Sequence, residues 1–177
     1  EKAGADDPFE LVLMDWKIEK PEQMWIEQLH HGVNVIQRIK AAQALGKKNT
    51  PKAVEALGKA LVEEEFWGVQ SEIAKVLGSI KTESALDHLL KGTTVENSKA
   101  RTAVARALGE FYQNDRALTA LEGLLTDEES YFVPSSAAAS IGKIQHERSF
   151  DILRDGVDNV EESWHEIVRQ GYLNGLI

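Results

Sequence analysis

The chain has 177 residues, of which 42% are hydrophobic and 28% charged, as is typical of a folded soluble protein of one or two domains. The 20 Lys and Arg residues against 29 Asp and Glu residues give a net charge of −9, and no basic stretch stands out, which argues against a nucleic-acid partner. The sequence has no cysteine, which excludes a disulfide framework and a thiolate metal site, and no apolar run that approaches the length of a membrane span. Cytoplasmic and exported locations both stay open.

Residues 1–20 differ from the rest of the chain. A polar lead-in, EKAGADDP, precedes residues 9–18, in which Phe9, Leu11 and Leu13 alternate with their neighbours as in a short strand. This segment is either an extended arm along the first helices or the last strand of a preceding β-domain, because one strand cannot satisfy its hydrogen bonds alone. Since the chain starts at Glu1 rather than Met, we expect it to be part of a longer protein.

From residue 21 to 177 the sequence is periodic. A leucine or isoleucine followed by glycine recurs about every 32 residues, and a small residue lies four positions before each glycine. The glycines are Gly46, Gly78, Gly109 and Gly142, and the small residues are Ala42, Ala74, Ala105 and Ala138. A period of this length predicts stacked structural repeats.

Each repeat is predicted to be a helical hairpin. In the second repeat, Val69, Ile73 and Val76 lie on one face of a helix. Before it, Thr50-Pro51 is a typical helix start, with an N-cap hydroxyl and proline at the first helical position. Each unit is therefore an outer helix, a turn and an inner helix that ends in Leu-Gly. We predict an all-α fold, an α-solenoid of about five HEAT-like hairpins with a short N-terminal extended segment.

Two repeats depart from the common register. In the third, the outer-helix leucines lie two residues too far from Gly109, which predicts a two-residue insertion in the loop 92–97, with Gly92 as the C-cap of the outer helix. In the fifth, either Gly175 or Ile177 could occupy the glycine position. The repeat glycines either end their helices or allow helices to approach closely, and the alanines are expected to let the two helices of a hairpin pack together.

Two His-Glu pairs raise the question of a zinc site. His165-Glu166 and His146-Glu147 begin like the zinc motif H-E-x-x-H, but the fifth positions are Arg169 and Phe150. Neither pair can therefore supply two histidines on one helical face. We predict no catalytic residue, no metal ligand and no cofactor in these 177 residues.

Pairs of aromatic residues mark two of the turns between outer and inner helices. Phe66-Trp67 and Tyr131-Phe132 fall at equivalent places in the second and fourth repeats. They either fill gaps between repeats or leave one ring of each pair exposed along one edge of the solenoid, because two adjacent rings on a tight turn cannot easily both point inward. With Trp16, they form a predicted interface.

Several segments of the sequence resemble those of known protein families. The hairpins are similar to HEAT-like repeats of the phycobilisome-lyase type. The phrases VIQRIKAAQALG, FWGVQSEIAKVLG and SYFVPSSAAASIG more closely resemble the C-terminal helical domain of zinc aminopeptidases of the aminopeptidase N (membrane alanyl aminopeptidase) type, and LVLMDWKIEKP is similar to the junction with the preceding β-sandwich domain.

This second resemblance implies a non-catalytic C-terminal domain that closes the substrate chamber of a metallopeptidase. Its partners would be the catalytic and β-sandwich domains of the parent chain, with a peptide substrate at the concave face. Zinc would belong to the parent's catalytic domain, and no catalytic residue is carried over onto this sequence.

Two alternatives belong to other classes. One is a free-standing HEAT-repeat adaptor that binds a protein partner in its concave face. The other is a HEAT-repeat metalloenzyme similar to deoxyhypusine hydroxylase, in which His-Glu pairs on inner helices hold two irons. The sequence has only two such pairs, and His146-Glu147 falls at a loop-to-helix junction.

Overall fold

The computed structural model describes residues 20–126, 129–158 and 165–177. These residues form ten helices and no strand, arranged as five antiparallel hairpins. The first helices of the hairpins, which we call A helices, are α1 (Glu22–His31), α3 (Pro51–Glu63), α5 (Glu83–Gly92), α7 (Asp115–Leu124) and α9 (Ser149–Asp158). The second helices, the B helices, are α2 (Val35–Lys48), α4 (Trp67–Ile80), α6 (Ser98–Leu108), α8 (Phe132–Ile144) and α10 (Glu166–Gly175). The predicted all-α solenoid of five helical pairs is confirmed, whereas the extended segment and Trp16 lie outside the described residues.

Polar side chains begin most of the helices. The Thr50 hydroxyl accepts a hydrogen bond from the amide of Ala53, 3.1 Å away, with Pro51 in the first turn, as the sequence predicts. The Thr82 hydroxyl caps α5 in the same way, and the Asn114 carboxamide accepts from the first amides of α7. Each cap satisfies an amide that has no partner within its own helix, and so fixes where the helix begins.

The core lies between the two helical layers and runs through all five repeats. Leu57, Leu77, Leu108 and Leu121 are fully buried in it, at the positions expected from the repeat register. Neighbouring B helices lie closer together than neighbouring A helices, so the B layer forms the inner side of the solenoid.

The repeat glycines lie where successive B helices touch. A Cβ atom at Gly78 would lie 2.9 Å from the Cβ of Ala107 in the next repeat, and one at Gly109 would lie equally close to Ser140. The helices continue past Gly46, Gly78 and Gly142, so these glycines do not end them. Close approach is found at all four repeat glycines, where it joins neighbouring repeats, and Gly109 alone of the four also ends its helix, as the C-cap of α6.

Three of the B helices, α2, α4 and α8, end at residues in the left-handed backbone conformation. Asn49, Lys81 and Gln145 have φ values of 48°, 58° and 52°, and each lies just beyond a repeat glycine. In the fifth repeat, Gly142 meets Gly175, just as Gly78 meets Ala107 and Gly109 meets Ser140, each two residues before the next repeat glycine; this places Ile177 at the glycine position.

The third repeat has the predicted longer turn, with residues 93–97 between α5 and α6 against 64–66 between α3 and α4. The assignment of Gly92 as a C-cap is wrong. Gly92 belongs to α5, and its missing side chain leaves room for Leu61 and Val104.

Candidate functional site

Six of the twelve large exposed apolar side chains among the described residues lie on one side of the solenoid, where each A helix turns into its B helix. We call this side the turn edge; it comprises the A-to-B turns and the first residues of the B helices. Its exposed apolar and aromatic residues are Val33, Ile36, Phe66, Trp67, Tyr131 and Phe132, which are between 37% and 93% exposed. These side chains come from the first, second and fourth repeats. Such a collection on one edge is typical of a contact surface.

Both members of each aromatic pair are exposed, whereas the sequence led us to expect at least one exposed ring in each pair, and neither pair fills a gap in the core. Phe66 and Trp67 are 40% and 37% exposed, and Tyr131 and Phe132 are 55% and 60% exposed. The inward positions are taken by Val69 and Val133, which are fully buried. Because the aromatic residues precede the first buried turn of their B helices, their rings stay at the edge.

Glycine shapes the first of these pairs. The Phe66 ring folds back over Gly68, where a Cβ atom would lie 2.5 Å from the Phe66 Cε1 atom. The Phe66 and Trp67 rings are tilted against each other, with centroids 5.6 Å apart. The sequence Phe-Trp-Gly thus holds two rings side by side at the start of α4.

Trp67 and Tyr131 each contact a side chain of the next repeat. The Lys99 ammonium lies over the Trp67 ring, 4.5 Å from its centroid. The His165 ring stacks on Tyr131 with centroids 4.1 Å apart and an interplanar angle of 14°. A cation over an aromatic face is attracted by the electrons of the ring. The Trp67 ring is therefore already used as a binding surface for a cation.

Arginine–glutamate pairs join the other repeats at the same edge. Arg38 contacts Glu64 in a bidentate pair with distances of 2.7 and 3.1 Å, and its remaining nitrogen donates to the Gly32 carbonyl. Arg101 pairs with Glu129 at 2.5 Å and donates to the carbonyls of Val95 and Glu96. Arg101 is thus paired with the carboxylate of Glu129, whereas Glu96 accepts through its backbone carbonyl.

These arginines lie eight residues before their repeat glycines, and Gln70 occupies the same position in the second repeat. The Gln70 amide donates to the Leu61 carbonyl, 3.2 Å away. In these three repeats the position therefore supplies a donor to a backbone carbonyl in the turn or at the end of the A helix that precedes its own B helix. Of the three side chains, only Arg38 and Arg101 also reach a carboxylate in the next repeat. Arginine–glutamate pairs therefore join the first repeat to the second and the third to the fourth.

An acidic groove runs along the turn edge past the second, third and fourth repeats. It has a volume of about 580 Å³ and five glutamates line it: Glu63, Glu64, Glu65, Glu96 and Glu129. Glu64 and Glu129 pair with arginines, and Glu63 lies 3.8 Å from the exposed Lys59. The carboxylates of Glu65 and Glu96 make no hydrogen bond or ion pair with the described residues. The groove therefore presents uncompensated negative charge.

The groove between α4 and α6 on the B layer has a different character. It has a volume of about 320 Å³, and charged residues line much of it, including Glu72, Lys75 and Arg106. Large exposed apolar side chains are absent from its lining. The apolar contact residues that the structure describes thus lie at the turn edge rather than on this part of the concave face.

The histidines singled out in the sequence serve the ends of helices. His146 bonds Asp115 across 3.0 Å, and His165 accepts from the amide of Ile167 at the start of α10. Among the described residues, no three His, Asp or Glu side chains come together in an arrangement that could hold a metal ion. Nor does any of the described helices have both the length and the apolar character to span a membrane.

Near the first turn, burial lowers the pKa of His30, and the nearby Lys59 lowers it further. The neutral imidazole is therefore favoured at this position, where burial removes the water that would stabilise its charge. His30 and His31 both lie close to Arg38 and Glu64 in a second open groove of about 370 Å³ at the turn edge.

Sequence reasoning selected the aromatic residues of this edge and missed the groove. Lys99, His165, Glu65 and Glu96 were not predicted as site residues. The signal available in the sequence was the acidic run at 63–65, which directly precedes Phe66. This acidic run lines the same groove as Glu96 and Glu129 only because the repeats stack side by side.

The fold defines an α-solenoid, and the comparison with protein families agrees. Models of HEAT repeats match residues 22–104 and 93–173, most of the chain. The chain belongs to the HEAT repeat family. No curated protein matches the sequence.

Two solved structures have a similar fold. The complex of CpcE and CpcF of phycocyanin lyase from Nostoc sp. PCC7120 matches with a TM-score of 0.64 and 18% identity, covering 87% of this chain and 96% of that chain. An engineered protein matches with a TM-score of 0.56 and 21% identity, covering 89% of this chain and 78% of that chain. At these identities the likeness concerns the fold alone. Neither structure, nor the family match, points to an aminopeptidase.

Proposed function

We propose that this protein is a HEAT-repeat adaptor that binds a protein partner along its turn edge. The observation that carries the proposal is the collection of exposed Ile36, Phe66, Trp67, Tyr131 and Phe132 on one side of the solenoid, next to a groove of uncompensated carboxylates. Aromatic side chains dominate the binding energy of many protein interfaces because they bury a large area for little loss of conformational freedom. Binding to a protein partner is also what the CpcE–CpcF complex shows of a protein with this fold.

The test is the capture of a partner from an extract of cells of the organism whose genome encodes this protein. The bait is the purified chain as wild type, as Trp67→Ser with Tyr131→Ser, and as Tyr112→Ser with Phe150→Ser. Tyr112 lies in the B-to-A turn after α6 and Phe150 in the first turn of α9; both are 63% exposed on the opposite edge, so they form a matched control.

We expect one protein in stoichiometric amounts with the wild type and the control variant, and a loss of at least about tenfold with the turn-edge variant. All three baits should unfold at similar temperatures, because the substituted side chains lie outside the core. Equal recovery with the turn-edge variant would remove the proposal.

The second candidate is the C-terminal domain of a zinc aminopeptidase, with the turn edge docking the other domains. It is supported by the Phe66-Trp67-Gly68-Val69 phrase, two of whose residues lie exposed on that edge. The coding sequence upstream of Glu1 tests it. An H-E-x-x-H motif in frame would favour this candidate, and the Trp67→Ser, Tyr131→Ser variant should then loosen the full-length protein without unfolding the isolated repeats.

A further inference from the structure

The acidic groove and the two aromatic pairs together specify the chemistry of a partner. We propose that the turn edge binds an extended, positively charged segment of a partner protein, with two cationic residues six positions apart. This inference rests on the proposed adaptor function and assigns the class of partner.

Charge gives the first step of the argument. Glutamates from three successive repeats line the groove, and no Lys or Arg is among its lining residues. The arginines behind it, Arg38 and Arg101, are already paired with Glu64 and Glu129. Glu65 and Glu96 stay available for an incoming cation, since neither carboxylate has a partner among the described residues. Opposite charge across an interface favours the correct partner and speeds its association.

The second step is the demonstrated use of an aromatic ring as a cation site. Lys99 holds its ammonium 4.5 Å from the centre of the Trp67 ring, while the ring stays 37% exposed. Tyr131 occupies the equivalent position two repeats on, where His165 stacks on it and leaves it 55% exposed. Arginine binds aromatic faces through its planar guanidinium, which can also donate to a carboxylate at the same time. Glu65 stands two residues before Trp67 in the sequence and can supply such a carboxylate.

Repeat spacing gives the third step. Trp67 and Tyr131 lie eleven residues before Gly78 and Gly142, at the same point of repeats two steps apart. Packed helices lie about 8–10 Å apart, so two steps separate the aromatic sites by roughly 20 Å. An extended chain advances about 3.3 Å per residue, so about six residues cover this distance. Six is an even number, and residues i and i+6 of an extended chain point to the same side.

A helical partner would need a longer segment. At about 1.5 Å per residue, it would need roughly thirteen residues to span the two sites, about twice as many as an extended chain. An extended segment is therefore the shortest one that reaches both aromatic sites.

The experiment uses three fluorescein-labelled ten-residue peptides of serine and threonine. One carries two arginines six positions apart, the second carries them three positions apart, and the third has glutamates in place of the arginines of the first. Anisotropy titrations with the purified chain compare their affinities at low and high salt. The first and second peptides have the same composition and charge, so their difference reports spacing alone.

We expect the first peptide to bind best, the second about threefold or more weaker, and the acidic peptide not to bind. Added salt should weaken binding, because exposed charges are screened. Trp67→Leu should weaken binding of the first peptide by about two- to fivefold, as expected for loss of a cation–π contact. Glu65→Gln with Glu96→Gln should weaken it to a similar degree, whereas Glu147→Gln outside the groove should leave it unchanged.

Lys99→Met gives a result that a purely structural role of the edge would not produce. Lys99 is the internal competitor for the Trp67 ring, so its removal should strengthen binding of the arginine peptide by about two- to fivefold. If this variant binds the acidic peptide worse and the arginine peptide no better, the edge recognises anions and the inference is wrong. Equal binding of the two arginine spacings would likewise overturn the assigned geometry.

Failure of this inference and failure of the adaptor function can be told apart. If the cell extract yields a partner that depends on Trp67 and Tyr131 but no arginine peptide binds, the adaptor function stands and the partner class is wrong. If the arginine peptide fails and no such partner is recovered, both are rejected.

Discussion

Gly142 in α8 faces Gly175 in α10 so closely that a Cβ atom at Gly142 would lie 2.0 Å from the Gly175 carbonyl oxygen. The same kind of contact joins Gly78 to Ala107 and Gly109 to Ser140. Close approach between B helices thus recurs along the solenoid. It is the contact by which each repeat fixes the position of the next.

Gly142→Ala should therefore destabilise the protein by about 3 kcal/mol, since the added methyl group meets backbone atoms that cannot move without shifting α10. Gly123→Ala is the matched control, because a Cβ atom there has no neighbour within 4 Å and Gly123 lies in α7. Replacing this exposed helical glycine should stabilise by about 0.5–1 kcal/mol. Urea unfolding of both variants measures the difference, and equal effects would contradict the close-approach role.

The buried leucines should carry much of the stability. Leu77→Ala should lower the free energy of unfolding by about 2–5 kcal/mol, because it leaves a cavity in a fully buried site. Val62→Ala removes a similar kind of side chain that is 47% exposed, and should cost less than about 1 kcal/mol. Thermal and urea unfolding give both values, and a loss below about 1 kcal/mol for Leu77→Ala would show that the site is not packed as described.

Arg101 should matter more than its carboxylate partner. Its side chain is only 9% exposed and donates to the Val95 and Glu96 carbonyls, while Glu129 is 72% exposed. Arg101→Met leaves those carbonyls without their donor and should cost about 2–4 kcal/mol. Glu129→Gln should cost less than about 1 kcal/mol, because exposed ion pairs contribute little. Similar losses for the two variants would mean that the ion pair, rather than the carbonyl contacts, dominates.

Stability should fall in acid partly through Glu110. The hydrogen bond from Lys143 is the main cause that lowers the pKa of Glu110, and Lys81 adds to it from 3.2 Å against the opposing effect of burial. A carboxyl group whose pKa is lower in the folded state stabilises the fold above its ordinary pKa and loses that contribution as the pH falls through the folded value.

The Glu110→Gln variant should consequently be less stable than the wild type at pH 7 and show a shallower loss of stability below about pH 5. Glu65→Gln serves as the control, because Glu65 has no partner among the described residues. Melting temperatures across the acid range measure both. Parallel curves for wild type and Glu110→Gln would show that this group does not contribute.

We also expect no stoichiometric zinc in the purified chain. His146 and His165 contact helix ends, and Arg169 and Phe150 stand where a second histidine would be needed. Treatment with a chelator should leave the melting temperature unchanged, and reloading with zinc should leave less than about one ion per ten chains. Tight stoichiometric zinc, or release of an amino acid from an alanyl anilide, would contradict this prediction.

The sequence by itself determined the helical hairpin, the number of repeats and the buried leucines. Each of these follows from local information: the period of apolar residues fixes one face of a helix, and a capping residue such as Thr50 fixes where it begins. Leu57 and Leu121 are buried for this reason alone, because the same register recurs in each unit.

Only the tertiary structure decided what the repeat glycines contact and what the turn edge presents. Gly78 meets Ala107, and Glu65, Glu96 and Glu129 line one groove, because helices from different repeats lie side by side. Sequence fixes the order of these residues but not the offset between neighbouring helices, which depends on the packing of both surfaces at once. The exposure of both rings in each aromatic pair was decided in the same way, since Val69 and Val133 fill the inward positions and leave Phe66, Trp67, Tyr131 and Phe132 at the edge.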